Sequence, residues 1–295
     1  MIKIRHDVLT DISIVKEGTG EHLGYLTEKE YLNYQRGKTS ASKMNNPNAR
    51  KNTNVLKQYI DETCGDFYFN YYNKTLDRKY LFRFMYLCTY MNYNTYIEFG
   101  KRKGKGKLST KRDLKEILGL KDQQFYNTIN YFFQEEMINE DEDGYINVNP
   151  MLCNKGKMKK GASRYGAVRM FNKAIQELYR NSNTREHEKI GLLLKLLPYI
   201  NYQWNIVCSN QNERDIRLIK LLKQKEICEV LDIDKKTFSA MIKITILDGQ
   251  EGAMIKVSNA FVNNAYVINP RCMYMAKDKE IIDNLLQWFS LGKCA

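Results

Sequence analysis

Gln123, Asn127, Asn130 and Gln134 recur at steps of four, three and four residues, with Gln124 beside the first of them. On a helix that spacing gathers the amides on one face. A primary amide carries a donor and an acceptor side by side, the pattern that pairs bidentately with N6 and N7 of adenine in a major groove. Opposite them, Phe125, Ile129, Phe132 and Phe133 stand at i, i+4, i+7 and i+8, an apolar stripe that must face a core. An amide face is also what an ordinary solvated helix shows, so the elements around it must decide.

Those elements lie between Leu108 and Pro150: a helix, a three-residue turn, the amide-bearing helix, then a short β-hairpin. This is the order of a winged helix-turn-helix. Just upstream, FGKRKGKGKLSTKR holds Lys101, Arg102, Lys103, Lys105, Lys107, Lys111 and Arg112 without one acid. The spacing is not that of a nucleotide-binding P-loop, because Lys107 is followed by Leu108 and no glycine stands five residues before Gly106. Phosphate-backbone contact is the expected use of these cations, since neutralising phosphates releases counterions. Downstream, NKGKMKKGASRYGAVR supplies Lys155, Lys157, Lys159, Lys160, Arg164 and Arg169, read as a second backbone-contacting strip or a solvated linker.

A second segment, Leu221 to Pro270, repeats the first. Tyr90–Asn94 matches Tyr199–Gln203 at an offset of 109. Leu114, Ile117, Leu118, Leu120, Phe125 and Ile129 match Ile227, Val230, Leu231, Ile233, Phe238 and Ile242 at 113, and Val148-Asn149-Pro150 matches Ile268-Asn269-Pro270 at 120. The second copy's helix from Asp234 is expected to bury Phe238, Ile242 and Ile246 and to present Lys236, Ala240 and Lys243. Lys235, Lys236, Thr237 and Lys243 are its candidate DNA contacts, suited to phosphate or guanine more than to adenine. Its wing, Met254 to Ile268, is longer and carries few charges.

The chain has 295 residues, with 47 Lys+Arg against 34 Asp+Glu for a net charge of +13, which favours a polyanionic partner. No apolar run reaches the roughly 18 residues needed to span a bilayer, and the first twenty residues lack a signal peptide's order, so a cytoplasmic, non-membrane protein is expected. The seven cysteines, Cys64, Cys88, Cys153, Cys208, Cys228, Cys272 and Cys294, form no CxxC pair and read as buried free thiols. His6, His22 and His187 are far apart and form no ligand pair, so no metal and no cofactor is expected. A tyrosine-based nicking enzyme would need such a site; no catalytic residue is assigned, and the expected protein is not an enzyme.

The expected fold is mainly α with small β-hairpins (α+β), built from tandem winged helix-turn-helix domains. Residues 1–78 hold a hairpin across Ile12–Leu26, a short helix capped by Thr27 and Glu30, a basic linker from Arg36 to Asn54, and the aromatic cluster DFYFNYY, read as core. Residues 79–160 form the first winged helix, opened by the apolar helix Lys79–Asn92. Residues 161–187 give a basic linker and a connecting helix from about Val168 to Tyr179. Residues 188–276 form the second winged helix, with Pro198 ending its opening helix, and residues 277–295 an amphipathic helix with Ile281, Ile282, Leu285, Leu286 and Phe289 on one side and Gly292 as its stop.

The span Lys79 to Lys155, above all STKRDLKEILGL, FYNTINYFFQEEMI, GYINVNP and NKG, resembles the RepL-type replication initiators of small Firmicute plasmids and related winged-helix proteins of Firmicute phages. The resemblance implies a phage or plasmid protein that binds double-stranded DNA sequence-specifically as a replication initiator; the amide face makes an A/T-rich site the expected one. A phage transcriptional regulator with the same two winged helices is the alternative, and a module binding a host protein is the alternative of another class. A homodimer through the second copy or the C-terminal helix is the other partner expected.

Overall fold

The computed structural model describes residues 2–6, 12–16, 22–26, 65–70, 76–102, 105–156, 167–247, 249–258, 262–274 and 279–291. They form an α+β protein of short helices and small antiparallel sheets. The chain divides into two compact units, Met1–Val55 and Leu56–Ala295.

The N-terminal unit holds a three-stranded antiparallel sheet in the order β1 (Ile2–His6), β2 (Ile12–Lys16), β3 (His22–Leu26). The β2–β3 pair is the expected hairpin; β1, which adds to its other edge, was not foreseen. The expected helix after Thr27 and the basic linker from Arg36 to Asn54 lie outside the described residues.

In the larger unit, β4 (Asp66–Asn70) turns Phe67 and Phe69 of the aromatic cluster into the core, while Tyr71 and Tyr72 lie outside the described residues. Helix α1 (Arg78–Cys88) buries every residue from Leu81 to Cys88, which explains its apolar character all round. The chain then turns at Thr95, whose φ is +69°, and runs into a hairpin of β5 (Glu98–Arg102) and β6 (Lys105–Leu108). The Gly-Lys segment is thus paired on either side of residues 103 and 104, which lie outside the described residues.

Helix α2 (Lys111–Leu118) starts at Thr110, whose N–H donates to the Asp113 carboxylate at 2.8 Å. It stops at Gly119, which adopts a φ of +58° open mainly to glycine. Helix α3 (Asp122–Gln134) follows, then the hairpin of β7 (Ile138–Glu140) and β8 (Ile146–Val148). β8 also pairs with the segment after α1, since Ile97 N–H donates to Ile146 O and Val148 N–H to Thr95 O. The short strand β9 (Cys153–Asn154) closes the first copy.

The expected helix from Val168 is corrected. Residues Ala167–Phe171 are strand β10, and helix α4 begins only at Asn172, running to Arg180. β10 is drawn out of the helical pattern by its partner β4: Arg169 Nε lies 2.7 Å from Asp66 Oδ2, and Val168, Met170 and Phe171 are fully buried, so Arg169 is a buried, paired cation and not the backbone contact expected of it.

Helix α5 (Glu186–Lys195) gives way to a 3-10 turn, Leu197–Tyr199, with Pro198 inside it. Helices α6 (Gln224–Leu231) and α7 (Lys235–Ile242) follow, then two hairpins: β11 (Thr245–Ile246) with β12 (Glu251–Gly252), and β13 (Met254–Val257) with β14 (Ala265–Ile268). The expected stripe is corrected at its end, because α7 stops at Ile242 and Ile246 belongs to β11. The buried residues of α7 are Phe238 and Met241. Strand β15 (Met273–Tyr274) and helix α8 (Lys279–Leu291) complete the chain. Ile281, Ile282, Leu285 and Phe289 of α8 bury themselves among Ile206, Val262, Val267 and Tyr274 of the same chain. The Gly292 stop lies outside the described residues.

The two repeated segments share a helix pair, a following hairpin and several hydrogen bonds, although the β5–β6 hairpin has no counterpart in the second and the β11–β12 hairpin none in the first. In the second, Val207 N–H donates to Tyr266 O and Ile268 N–H to Asn205 O, as Ile97 and Val148 do in the first. Asn149 and Asn269 each take a backbone N–H two residues on with Oδ1 and give Nδ2 to a carbonyl before the wing. Gly119 finds its counterpart in Asp232, also left-handed at φ +52°. A four-stranded sheet in the order β15-β10-β4-β9 joins the copies, and α1 packs along α5.

Candidate nucleic-acid interface

Helix α3 sorts its residues as its period requires. Phe125, Ile129 and Phe132 are buried, Phe133 packs partly buried beside them, and Gln123, Asn127, Asn130 and Gln134 are exposed. Each buried aromatic or branched side chain contributes about 2 kcal/mol to holding the helix in place. Gln123 Nε2 donates to Asn127 Oδ1 at 3.0 Å, so two of the amides form one unit on the surface. Gln124 differs from its neighbours: it is half-buried, and its carbonyl accepts the Thr128 hydroxyl at 2.7 Å.

Three contacts fix the angle of α3. Tyr131 stacks on Tyr80 with ring centroids 4.2 Å apart, and its hydroxyl accepts the Asp77 N–H at 2.8 Å. The fully buried Thr128 hydroxyl accepts from Arg83 Nη1 at 2.7 Å. Arg83 itself is buried on α1, and its Nε donates to His187 Nδ1 of α5 at 3.2 Å. Burial lowers the affinity of both groups for a proton: the Arg83 pKa falls, and that of His187 drops to about 4 through desolvation and the neighbouring guanidinium. A neutral imidazole that accepts from a buried cation is the arrangement this produces.

The cations around α3 divide by environment. Lys101, Arg102 and Lys105 lie on the β5–β6 hairpin, which leads directly to α2. Lys111 and Arg112 are exposed in the first turn of α2, Lys111 with its ammonium 5.4 Å from the Phe133 ring. Lys107 is exposed but lies 3.1 Å from Asp113, whose carboxyl is held below its ordinary pKa mainly by the Thr110 N–H. Lys155 is drawn into the fold, giving a hydrogen bond to Met91 O at 3.1 Å and lying 5.6 Å from the Tyr93 ring. Lys103, Lys157, Lys159, Lys160 and Arg164 lie outside the described residues. The tip of the β7–β8 hairpin, by contrast, is acidic, with Glu140, Asp141, Glu142 and Asp143 in succession. Such a tip repels phosphates, so the basic β5–β6 hairpin is the one suited to a polyanion.

No protein-family model, curated protein or solved structure matches the chain.

In the second copy, Lys235 and Lys236 are exposed at the start of α7, where Asp234 caps the helix by accepting the Thr237 N–H at 2.6 Å. Thr237 is half-buried. Ala240 and Lys243 line an open cavity of about 300 Å³ with Leu178, Asn181, Glu186 and Lys189, so α4 and α5 stand over part of this face. Lys243 is nevertheless exposed, like Ser239, whereas Ala240 is half-buried.

One exposed group was missed. Tyr126 is 55 % exposed and stands three residues from Gln123 and four from Asn130, so its ring belongs to the amide face. The helical period carries that signal, but next to Phe125 the residue reads as core. Among the described residues, no cluster of three His, Cys, Asp or Glu side chains could hold a metal ion, and no helix is long and apolar enough to cross a membrane. The described cysteines, Cys88, Cys153, Cys208, Cys228 and Cys272, are free and buried.

Proposed function

We propose that the chain is a non-catalytic, sequence-specific double-stranded DNA-binding protein built from two winged helix-turn-helix copies, with α3 as its base-reading helix. The observation that carries this reading is the outer face of α3: Gln123, Asn127 and Asn130 exposed together, on a helix whose opposite face is locked into the core. Amides held on a rigid helix can meet adenine edges in the major groove, and the preferred site is A/T-rich. Arg112, Lys111 and the β5–β6 hairpin supply phosphate contacts beside it. These fix register and give affinity that falls steeply with salt.

The resemblance to RepL-type initiators makes replication initiation in a phage or plasmid the preferred role. Selection of bound duplexes from random DNA tests the reading, with the enriched site mapped onto the genome that encodes the chain. Enrichment of an A/T-rich site clustered in an origin or in the chain's own gene supports it. A site scattered over promoters would instead assign a transcriptional regulator, and the absence of any enriched duplex would refute DNA reading altogether.

A further inference from the structure

The four-stranded sheet obeys a local two-fold axis. β9 pairs with β4 through Phe69↔Cys153 and Tyr68↔Asn154, and β15 pairs with β10 through Met170↔Met273 and Arg169↔Tyr274. Cys153 and Asn154 correspond to Met273 and Tyr274 at the offset of 120 already fixed by the Asn-Pro turns, so Tyr68 corresponds to Arg169 and Phe69 to Met170. With that correspondence the β4–β10 register maps onto itself. Tyr68 faces its own counterpart Arg169, while Phe69↔Val168 and Phe67↔Met170 exchange, as do Asn70↔Ala167 and Asp66↔Phe171. The flanking bonds follow suit, Asn70 N–H to Leu152 O in one half and Phe171 N–H to Cys272 O in the other.

The helix pair keeps the same symmetry. Gly191 of α5 lies against the backbone of Arg78 on α1, and Phe82 of α1 meets His187 of α5 edge to face at 5.4 Å. At the offset of 109 these two contacts are each other's images. Two copies related by such an axis present their second helices in opposite senses, and a duplex has two-fold axes of the same kind.

The copies have nonetheless diverged where they would read. Gln123, Asn127 and Asn130 correspond to Lys236, Ala240 and Lys243, so no amide stands at these positions; Ala240, half-buried, and Lys243, exposed, line the open cavity beside α4 and α5. We infer that the chain is an internal two-fold pair addressing an inverted-repeat site with unequal halves, one read base by base under α3 and one held through its phosphates by Lys235 and Lys236 at the start of α7. This rests on the DNA-binding reading above and adds the layout of the site.

Hydroxyl-radical footprinting of the full chain on a selected duplex tests it. An inverted layout gives two clusters of backbone protection, with the pattern on one strand of the first half reappearing on the opposite strand of the second. Base preference is confined to one cluster. The double variant Lys235→Ala/Lys236→Ala loses the cluster without base preference, lowers the slope of log affinity against log salt by about 2, and keeps the selected sequence. A single cluster in the wild-type footprint, or two clusters with their pattern on the same strand, overturns the layout while leaving DNA binding intact. Failure to bind any duplex overturns both.

Discussion

Arg83 on α1 donates to the Thr128 hydroxyl of α3 at 2.7 Å, and neither side chain reaches solvent. A buried guanidinium needs its acceptors, so the helix that carries the amides is held from behind by a charge that cannot easily be left alone. Thr128→Val keeps the volume but removes the acceptor. It should lower stability by about 2–3 kcal/mol in denaturant unfolding, whereas Thr128→Ser, which keeps the hydroxyl, should cost less than half as much. Equal losses for the two variants would show that the hydroxyl does not serve Arg83.

The same guanidinium donates to His187, whose folded pKa of about 4 lies below its ordinary 6.5. The unfolded chain therefore binds more protons between these values, and stability falls as pH drops from about 6.5 to 4. The full contribution, about 3 kcal/mol, is present above that window and lost below it. Unfolding midpoints of the wild type and His187→Gln, measured from pH 7 to pH 4, should differ in slope, with the variant flatter. Parallel curves would mean that His187 is not the group that titrates.

Gly119 ends α2 in the left-handed region at φ +58° with open space around it, and the corresponding Asp232 adopts the same conformation. Gly119→Ala should destabilise by about 1 kcal/mol, and Gly119→Asn by less, because Asn tolerates this region. Thermal unfolding of the two variants gives the comparison. Asn being the worse of the two would contradict the cap.

A Cβ added at Gly191 would collide with the carbonyl oxygen of Arg78, a contact with backbone that cannot swing aside. Gly191→Ala should push α1 and α5 apart and cost about 3 kcal/mol despite alanine's better helix propensity. A loss below about 0.5 kcal/mol would show that the two helices do not approach so closely.

The helices around the amide face were legible because their information is local. The stripe Phe125, Ile129, Phe132 repeats at the helical period, and Thr110, Asp113 and Gly119 mark where α2 begins and ends. Strand β10 was illegible for the opposite reason: Val168-Arg169-Met170-Phe171 passes for a helix start, and its extended form depends on β4 about a hundred residues earlier. The end of α7 failed similarly. Ile246 keeps the helical period with Phe238 and Ile242, but the tight β11–β12 hairpin, with Leu247 at φ +54°, takes it away. The cations of the Gly-rich segment were legible but their pairing was not: Glu98↔Leu108, Lys101↔Gly106 and Arg102↔Lys105 make a hairpin that glycine's weak strand preference does not announce. Of the described residues expected to touch phosphates, Lys155 and Arg169 are used otherwise by the fold and Lys107 is paired with Asp113, which only the neighbours Met91, Tyr93, Asp66 and Asp113 reveal.

The most direct test of the reading is the ratio of affinities for a selected duplex and a random duplex of equal length, measured at one salt concentration for the wild type and for Asn127→Ala. Loss of a bidentate amide should cut affinity for the selected duplex by about tenfold or more and leave affinity for the random duplex within about twofold, so that the ratio collapses while the salt dependence stays. An equal fall for both duplexes, with the ratio unchanged, would contradict base reading by the α3 amide face.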